Sequence, residues 1–167
     1  LEPSCLLSLR DEIPALLPGA EVEVVAQYAV LFEEFAAGQS RMQELPLQKS
    51  DQRILVHGHC HQKSFGLMSD VESTLKLLPG ANVGIIASGC CGMAGAFGYG
   101  KDTHETSMQM GGLDLFPAIE ASDADTVLVA AGTSCRHQIA DGTGRTALHP
   151  ARVLANALEP HARRKAT

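Results

Sequence analysis

NVGIIASGCCG, residues 82 to 92, places a short aliphatic run directly before two adjacent cysteines. An apolar run this brief, bounded by turn residues, reads as a buried strand rather than a helix. Two further phrases have the same form: RILVHG (53–58) runs into Cys60, and TVLVAAG (126–132) runs into Cys135. Between and after them lie segments with helical spacing: VESTLKLLP (71–79), a longer stretch from about 103 to 121, and PARVLANALE (150–159), with Pro150 in its first turn. Parallel neighbours need connections of about a dozen residues, so strands alternating with crossover helices predict an α/β fold. That fold is a parallel sheet with flanking helices and with the cysteines in loops at the C-terminal ends of the strands.

Working outward, residues 6–17 (LLSLRDEIPALL) predict a short helix broken near Pro14, and 21–37 (EVEVVAQYAVLFEEFAA) a helix of about four turns, both as packing elements. Residues 38–52 are polar, are interrupted by Pro46 and read as a linker. The chain therefore divides into a leading segment (1–50), an α/β domain (51–160) and a tail (161–167), whose Arg163, Arg164 and Lys165 read as a solvated end. The chain starts inside a structured phrase, LEPSCLLSLRDEIP, without Met, as expected of a piece of a longer polypeptide.

Composition removes several classes of function. A net charge of -6 without a dense Lys/Arg run does not suit a nucleic-acid surface, which needs clustered cations against phosphate. No apolar run is long enough for a transmembrane segment, and no basic-then-apolar leader opens the chain, so the expected location is cytoplasmic. Five cysteines, an odd number, make a poor disulfide framework and point to metal, cluster or thiol chemistry.

Any one of these cysteines alone reads as a small buried hydrophobe. Together, Cys60, Cys90, Cys91 and Cys135 each follow a strand, and in an open parallel sheet those ends share the edge where ligands bind. Thiolates are soft ligands suited to iron-sulfur clusters and zinc. Thiol-disulfide catalysis usually carries a C-x-x-C, which is absent here. Adjacent side chains diverge, so Cys90 and Cys91 suit two irons of one cluster better than one small ion. The neighbouring glycines, Gly89 and Gly92, allow close approach of N–H groups to sulfur, and with neither GxGxxG nor a Walker sequence present, a nucleotide loop is not indicated.

Histidines crowd the same loops: His57, His59 and His61 in HGHCHQK, and His137 in SCRHQ. At strand spacing the first three share one face. They make a Cys/His zinc site the rival reading, while their alternative role is hydrogen bonding around a metal. Lys63, Lys101 and Arg145 read as surface charges rather than counter-ions to a cluster, and DGTGR (141–145) as a plain turn rather than an anion nest. His104 and Glu105 fall at a helix start. No Ser/His/Asp arrangement or carboxylate pair stands out, and no catalytic residue is assigned.

With Cys60, SGCCG and GTSCRHQ in place, the chain resembles the cysteine-rich (CCG) domain. That domain is found in heterodisulfide reductase, in the iron-sulfur proteins of glycolate- and glycerol-3-phosphate-oxidising enzymes, and at the C-terminus of FAD-linked oxidases. HGHCHQK, GCCGMAGAFGY and GTSCRHQIADGTGR are most similar to the last group, which acts on D-2-hydroxy acids such as D-lactate or D-2-hydroxyglutarate. The resemblance implies an electron-transfer domain binding an iron-sulfur cluster, of 4Fe-4S type, beside the flavin-binding and ferredoxin-type domains of a parent chain. It also implies FAD elsewhere in that parent and an external electron acceptor, with peripheral membrane association open to the parent enzyme. Cys60, Cys90, Cys91 and Cys135 would be cluster ligands, with His59, His61 and His137 as ligands or supporting groups and zinc as the alternative metal. Residues 1–50 resemble the tail of a preceding CCG repeat, whose site Cys5 would serve. The family repeat ends in C-x-x-C, giving five thiols, whereas Gln138 occupies the last position here. This departure leaves a four-thiolate cluster, a histidine-completed cluster and zinc as alternatives.

Overall fold

The computed structural model describes residues 2–159; the predicted tail at 161–167 lies outside them. Four strands, β1 (Arg53–His57), β2 (Asn82–Ile85), β3 (Val127–Ala130) and β4 (Ala147–Leu148), form one sheet in the order β2-β1-β3-β4. All three pairings are parallel, with Leu55 opposite Gly84 on one side and Leu128 on the other. The expected α/β architecture is therefore present, with helices on both faces.

Strand alternation assigns the faces. Ile54, Val56 and Val129 point to one side, where they pack with Val71 and Leu75 of α6 (Met68–Leu75) and Val153 and Leu154 of α10 (Pro150–Ala157). Leu55, Leu128 and Ala130 point to the other side and meet Leu115 and Ile119 of α8 (Leu115–Glu120) and Ile139 of α9 (Thr133–Thr143). Cys91, Met93 and Cys135 belong to this second cluster.

The chain leaves β1 for β2 on one side, then crosses back to β3 on the other, so the strand order reverses between β1 and β3. In open parallel sheets the ligand crevice lies at that reversal, beyond the strand C-termini. Cys60 follows β1 and Cys135 follows β3.

Several elements differ from expectation. The predicted helix at 103–121 is two, α7 (His104–Leu113) and α8, because Pro117 has no N–H to give and its ring clashes with the carbonyl four residues back. The predicted helix at 21–37 also divides, into α3 (Ala20–Tyr28) and α4 (Phe32–Ala37). There Leu31 turns inward to pack with Leu6 and Leu7, and Glu34 accepts its backbone N–H at 2.9 Å. Arg10 holds the same carboxylate with bonds of 2.7 and 2.8 Å.

Only part of the leading segment packs as foreseen. In α1 (Pro3–Ser8), Leu6 and Leu7 are buried and the helix rests on α5 (Cys60–Ser64), while α4 packs against α6 and α10. In contrast, α2 (Glu12–Leu16) and α3 bury no residue, and Leu16 and Tyr28 are 80% and 76% exposed. Among the described residues no helix is long and apolar enough to cross a membrane.

Candidate metal centre

Each thiol of the predicted set is placed by the segment that follows a strand. Cys60 opens α5, directly after His59, whose Nδ1 accepts the His61 N–H at 3.2 Å as the helix cap. Gln62 reaches back to the His59 N–H at 3.3 Å, so the exit from β1 is closed by a reciprocal cap. Cys135 lies in the first turn of α9, not in a loop as expected; this helix is hard to foresee because TSCRHQIADGT carries few apolar residues. Cys90 and Cys91 occupy an irregular segment after β2.

That segment is pinned from two sides. Lys63 Nζ donates to the carbonyl oxygens of Ser88 at 2.5 Å and Gly89 at 2.9 Å. Lys63 is thus a clamp on the cysteine pair rather than a plain surface charge. Burial lowers its pKa, while the thiols of Cys135, Cys60, Cys90 and Cys91 pull it back up. On the other side Gly92, at φ 97°, approaches α7 so closely that a Cβ would sit 2.1 Å from the Ser107 carbonyl oxygen. Its N–H donates to Cys90 Sγ at 3.3 Å, a contact of the kind that tunes thiolate electronics.

The four sulfurs open on one cavity of about 280 Å³, lined by Cys60, Cys90, Cys91 and Cys135 together with Ser4, His59, His61, Ala94, Gly95 and Ser134. The sulfurs of Cys91 and Cys135 and a ring nitrogen of His57 lie within 4.8 Å of one another, all three residues buried. Contact with the Cys135 thiol, supported by the His57 imidazole, draws Cys91 down to about 4. The same sharing of one proton, with burial, pushes Cys135 up. Burial and the nearby Cys90 also raise Cys60. Another groove, of about 240 Å³, lies near Gln48, Leu78 and Asn156 and is lined by no thiol, imidazole or carboxylate.

The histidines separate. His59 and His61 line the cavity, but β1 ends at His57, so the expected shared strand face does not continue to them. His59 Nε2 faces Glu2 Oε1 at 3.7 Å, and burial holds its pKa below the ordinary value despite that carboxylate. His137 does not line the cavity and shares a 2.5 Å hydrogen bond with Tyr99 OH. His57 Nδ1 shares a 2.9 Å hydrogen bond with Ser88 Oγ, while its Nε2 is buried without a hydrogen-bond partner.

Gln138, at the position of the family's fifth thiol, is buried in the α7–α9 contact. Its Nε2 donates to Ser107 O at 3.0 Å and Ser107 Oγ at 2.9 Å, and it does not line the cavity. Cys5 is exposed on α1, and Lys101 and His104 are exposed near the start of α7. Arg145 is not a surface charge. Just past the end of α9 at Gly144, it donates to the carbonyls of Ile119, Asp123, Ala124 and Thr126 and to Ser122 Oγ. The rest of DGTGR is largely the last turn of α9. No motif signals Glu2, whose Oε2 accepts the Thr133 N–H at 2.6 Å and ties the residues before α1 to α9.

Curated relatives are dehydrogenase proteins. Over 159 residues the chain is 31% identical to one of the subunits of the anaerobic glycerol-3-phosphate dehydrogenase of Escherichia coli (strain K12), a match covering 93% of this chain and 39% of that protein. Its counterpart in Escherichia coli O157:H7 matches equally. A shorter match, 35% over 75 residues, joins 45% of this chain to 7% of the D-2-hydroxyglutarate dehydrogenase of Escherichia coli (strain K12). The chain thus spans well under half the length of these relatives. No family model and no solved structure matches it.

Proposed function

We propose that the chain is an electron-transfer module of an oxidoreductase and that its thiol cavity holds an iron-sulfur cluster of 4Fe-4S type. The observation that carries this reading is that four thiols from three separate strand-end segments line one cavity at the sheet's reversal point. The donor chemistry suits the group: soft sulfurs, one thiol already drawn toward its ionised form, a backbone N–H on Cys90 and a lysine bound to the carbonyls just before the cysteine pair. Cys60, Cys90, Cys91 and Cys135 would hold the cluster, which supplies one-electron chemistry when bound. Around it, Lys63 fixes the cysteine pair, Gly92 lets that loop approach α7, Ser4 lines the cavity and Glu2 ties α1 to α9.

The similarity to two dehydrogenase proteins supports an oxidoreductase setting. In it, a flavin-binding domain of the parent would take a hydride equivalent from a D-2-hydroxy acid, or from a related alcohol such as glycerol 3-phosphate. Electrons would then pass singly through ferredoxin-type clusters and this module to an acceptor. Residues 1–50 are read as the tail of a preceding repeat, of which α1 and α4 pack on helices of 51–160. Because no flavin-binding phrase is present in the chain, substrate oxidation is assigned to the parent and not to this module.

Anaerobic reconstitution of the chain with iron and sulfide, followed by absorption and EPR, tests the reading. The expected result is a cluster whose occupancy drops in Cys60→Ser; occupancy unchanged by that substitution would remove Cys60 from the ligand set. The rival is a zinc site that helps assemble the parent, and the compact Cys91, Cys135 and His57 group favours it, since zinc takes mixed sulfur and nitrogen donors. Zinc bound in place of iron and sulfide after anaerobic purification would decide for that rival.

A further inference from the structure

We propose that the Glu2 carboxylate sets the reduction potential of the thiol cavity: it holds a negative charge beside Cys135 and keeps the potential of the bound cluster low. The inference rests on the reading of the cavity as a cluster site. It deepens that reading by naming a side chain, outside the ligand set, that governs how readily the site accepts an electron.

Glu2 precedes α1 and reaches across to α9. Its Oε2 accepts the Thr133 N–H at 2.6 Å, and its Oε1 lies 3.5 Å from Ser4 Oγ and 3.7 Å from His59 Nε2, two residues that line the cavity. Gly132, just before α9, leaves room for this approach. A Cβ there would lie 3.3 Å from Glu2 Oε1 and 3.2 Å from Cys135 Sγ, so carboxylate and thiol flank the same point. The Glu2 side chain is only 22% exposed, and water screens its charge incompletely. Among the described residues no lysine or arginine lies within ion-pair distance of it. Arg136, on the same turn of α9, gives its guanidinium to the Ala130 and Ala131 carbonyls and to Thr133 Oγ1.

Two opposing fields meet at Cys135. The first turn of α9, a helix of 11 residues, presents its positive end there and favours negative charge on the sulfur. A carboxylate on the first N–H of that helix offsets this. An added electron makes a thiolate-bound cluster more negative, so a fixed anion beside one ligand disfavours reduction and a cation favours it. Lys63 is the cation, held on the Ser88 and Gly89 carbonyls ahead of the cysteine pair, and Glu2 is the anion on the Cys135 side. Because Glu2 precedes α1, which rests on α5, the seating of the leading segment and the electron affinity of the site are coupled.

The test is a redox titration, followed by EPR, of the anaerobically reconstituted chain and of Glu2→Gln, which keeps an oxygen for the Thr133 N–H and removes the charge. At a fixed ambient potential the ratio of reduced to oxidised cluster should rise at least about threefold in the variant, the order expected for a partly screened unit charge. Glu21→Gln, on a helix that does not line the cavity, should leave the ratio unchanged, and an equal rise there would assign the effect to net charge and overturn the inference. An unchanged or lower ratio in a Glu2→Gln chain that holds its cluster overturns the inference and leaves the cluster reading standing. Should Glu2→Gln hold no cluster, Thr133→Pro decides, because Pro fits the first position of a helix and withdraws the N–H that anchors Glu2. A higher ratio in that variant supports the inference, and an unchanged one overturns it. A wild-type chain that assembles no cluster overturns both the inference and the reading beneath it.

Discussion

Arg145 shows how far a single side chain departs from its sequence reading. Among the charged residues around DGTGR it looks like a surface cation, yet its guanidinium ties the end of α8 and the approach to β3 to the turn after α9. Five fixed donors on a rigid fork make that possible, and they cannot be seen from spacing. Arg145→Met should lower unfolding free energy by about 2 to 3 kcal/mol, through lost charge-assisted bonds and orphaned carbonyls. Denaturant unfolding reads the change, and cluster loading of the folded fraction should stay at the wild-type level.

His149 carries a pH dependence of the same local kind. Burial, with Arg136 adding to it, holds its pKa at about 4 rather than the ordinary 6.5. Between those values the unfolded chain takes a proton that the folded chain refuses. Its contribution to stability is therefore full above 6.5 and is lost as pH falls toward 4, by up to about 3 kcal/mol. Glu33, whose Oε1 lies 3.8 Å from His149 Nε2, is raised by burial and acts in the opposite sense, favouring the fold below its ordinary 4.5 and less so as pH rises through its folded value. His149 Nδ1 accepts the Ala151 N–H as the α10 cap, a role Asn also fills. Subtracting His149→Asn from wild type isolates the imidazole: urea midpoints measured from pH 7 to 4 should fall less steeply in the variant, and parallel slopes would refute the assignment.

At the scale of elements, the three core strands were legible because runs of Ile, Val and Leu bounded by Gly and polar residues have few other readings. The elements missed lack such runs: α5 is five residues of mixed polarity, α9 is mostly polar, and β4 is two residues long. Their omission mattered for the site, since α5 and α9 turn Cys60 and Cys135 from loop residues into first-turn helical ones. The cysteine-pair loop is the element most sensitive to change. Gly92→Ala forces a Cβ toward the Ser107 carbonyl at a φ that favours glycine. It should cost about 2 kcal/mol or more and reduce cluster loading of the folded chain. A variant that loads as wild type would show that the loop does not need its contact with α7.

For the whole molecule, sheet order is what gathers the chemistry. Residues 57, 60, 90, 91 and 135 meet because β1 lies between β2 and β3, an order that hydrophobic pattern alone does not specify. The four cysteines were legible as a group from their places after strands; that His57 would lie with them, and His137 apart, depended on where β1 stops and how α9 turns. Dehydrogenase relatives of which the matched region makes up 39% and 7% are consistent with a module that works inside a larger oxidoreductase. The central claim, a cluster in the thiol cavity, is tested most directly by metal and sulfide analysis of the chain purified without oxygen. Iron and acid-labile sulfide in equal amounts are predicted; stoichiometric zinc without sulfide would contradict it.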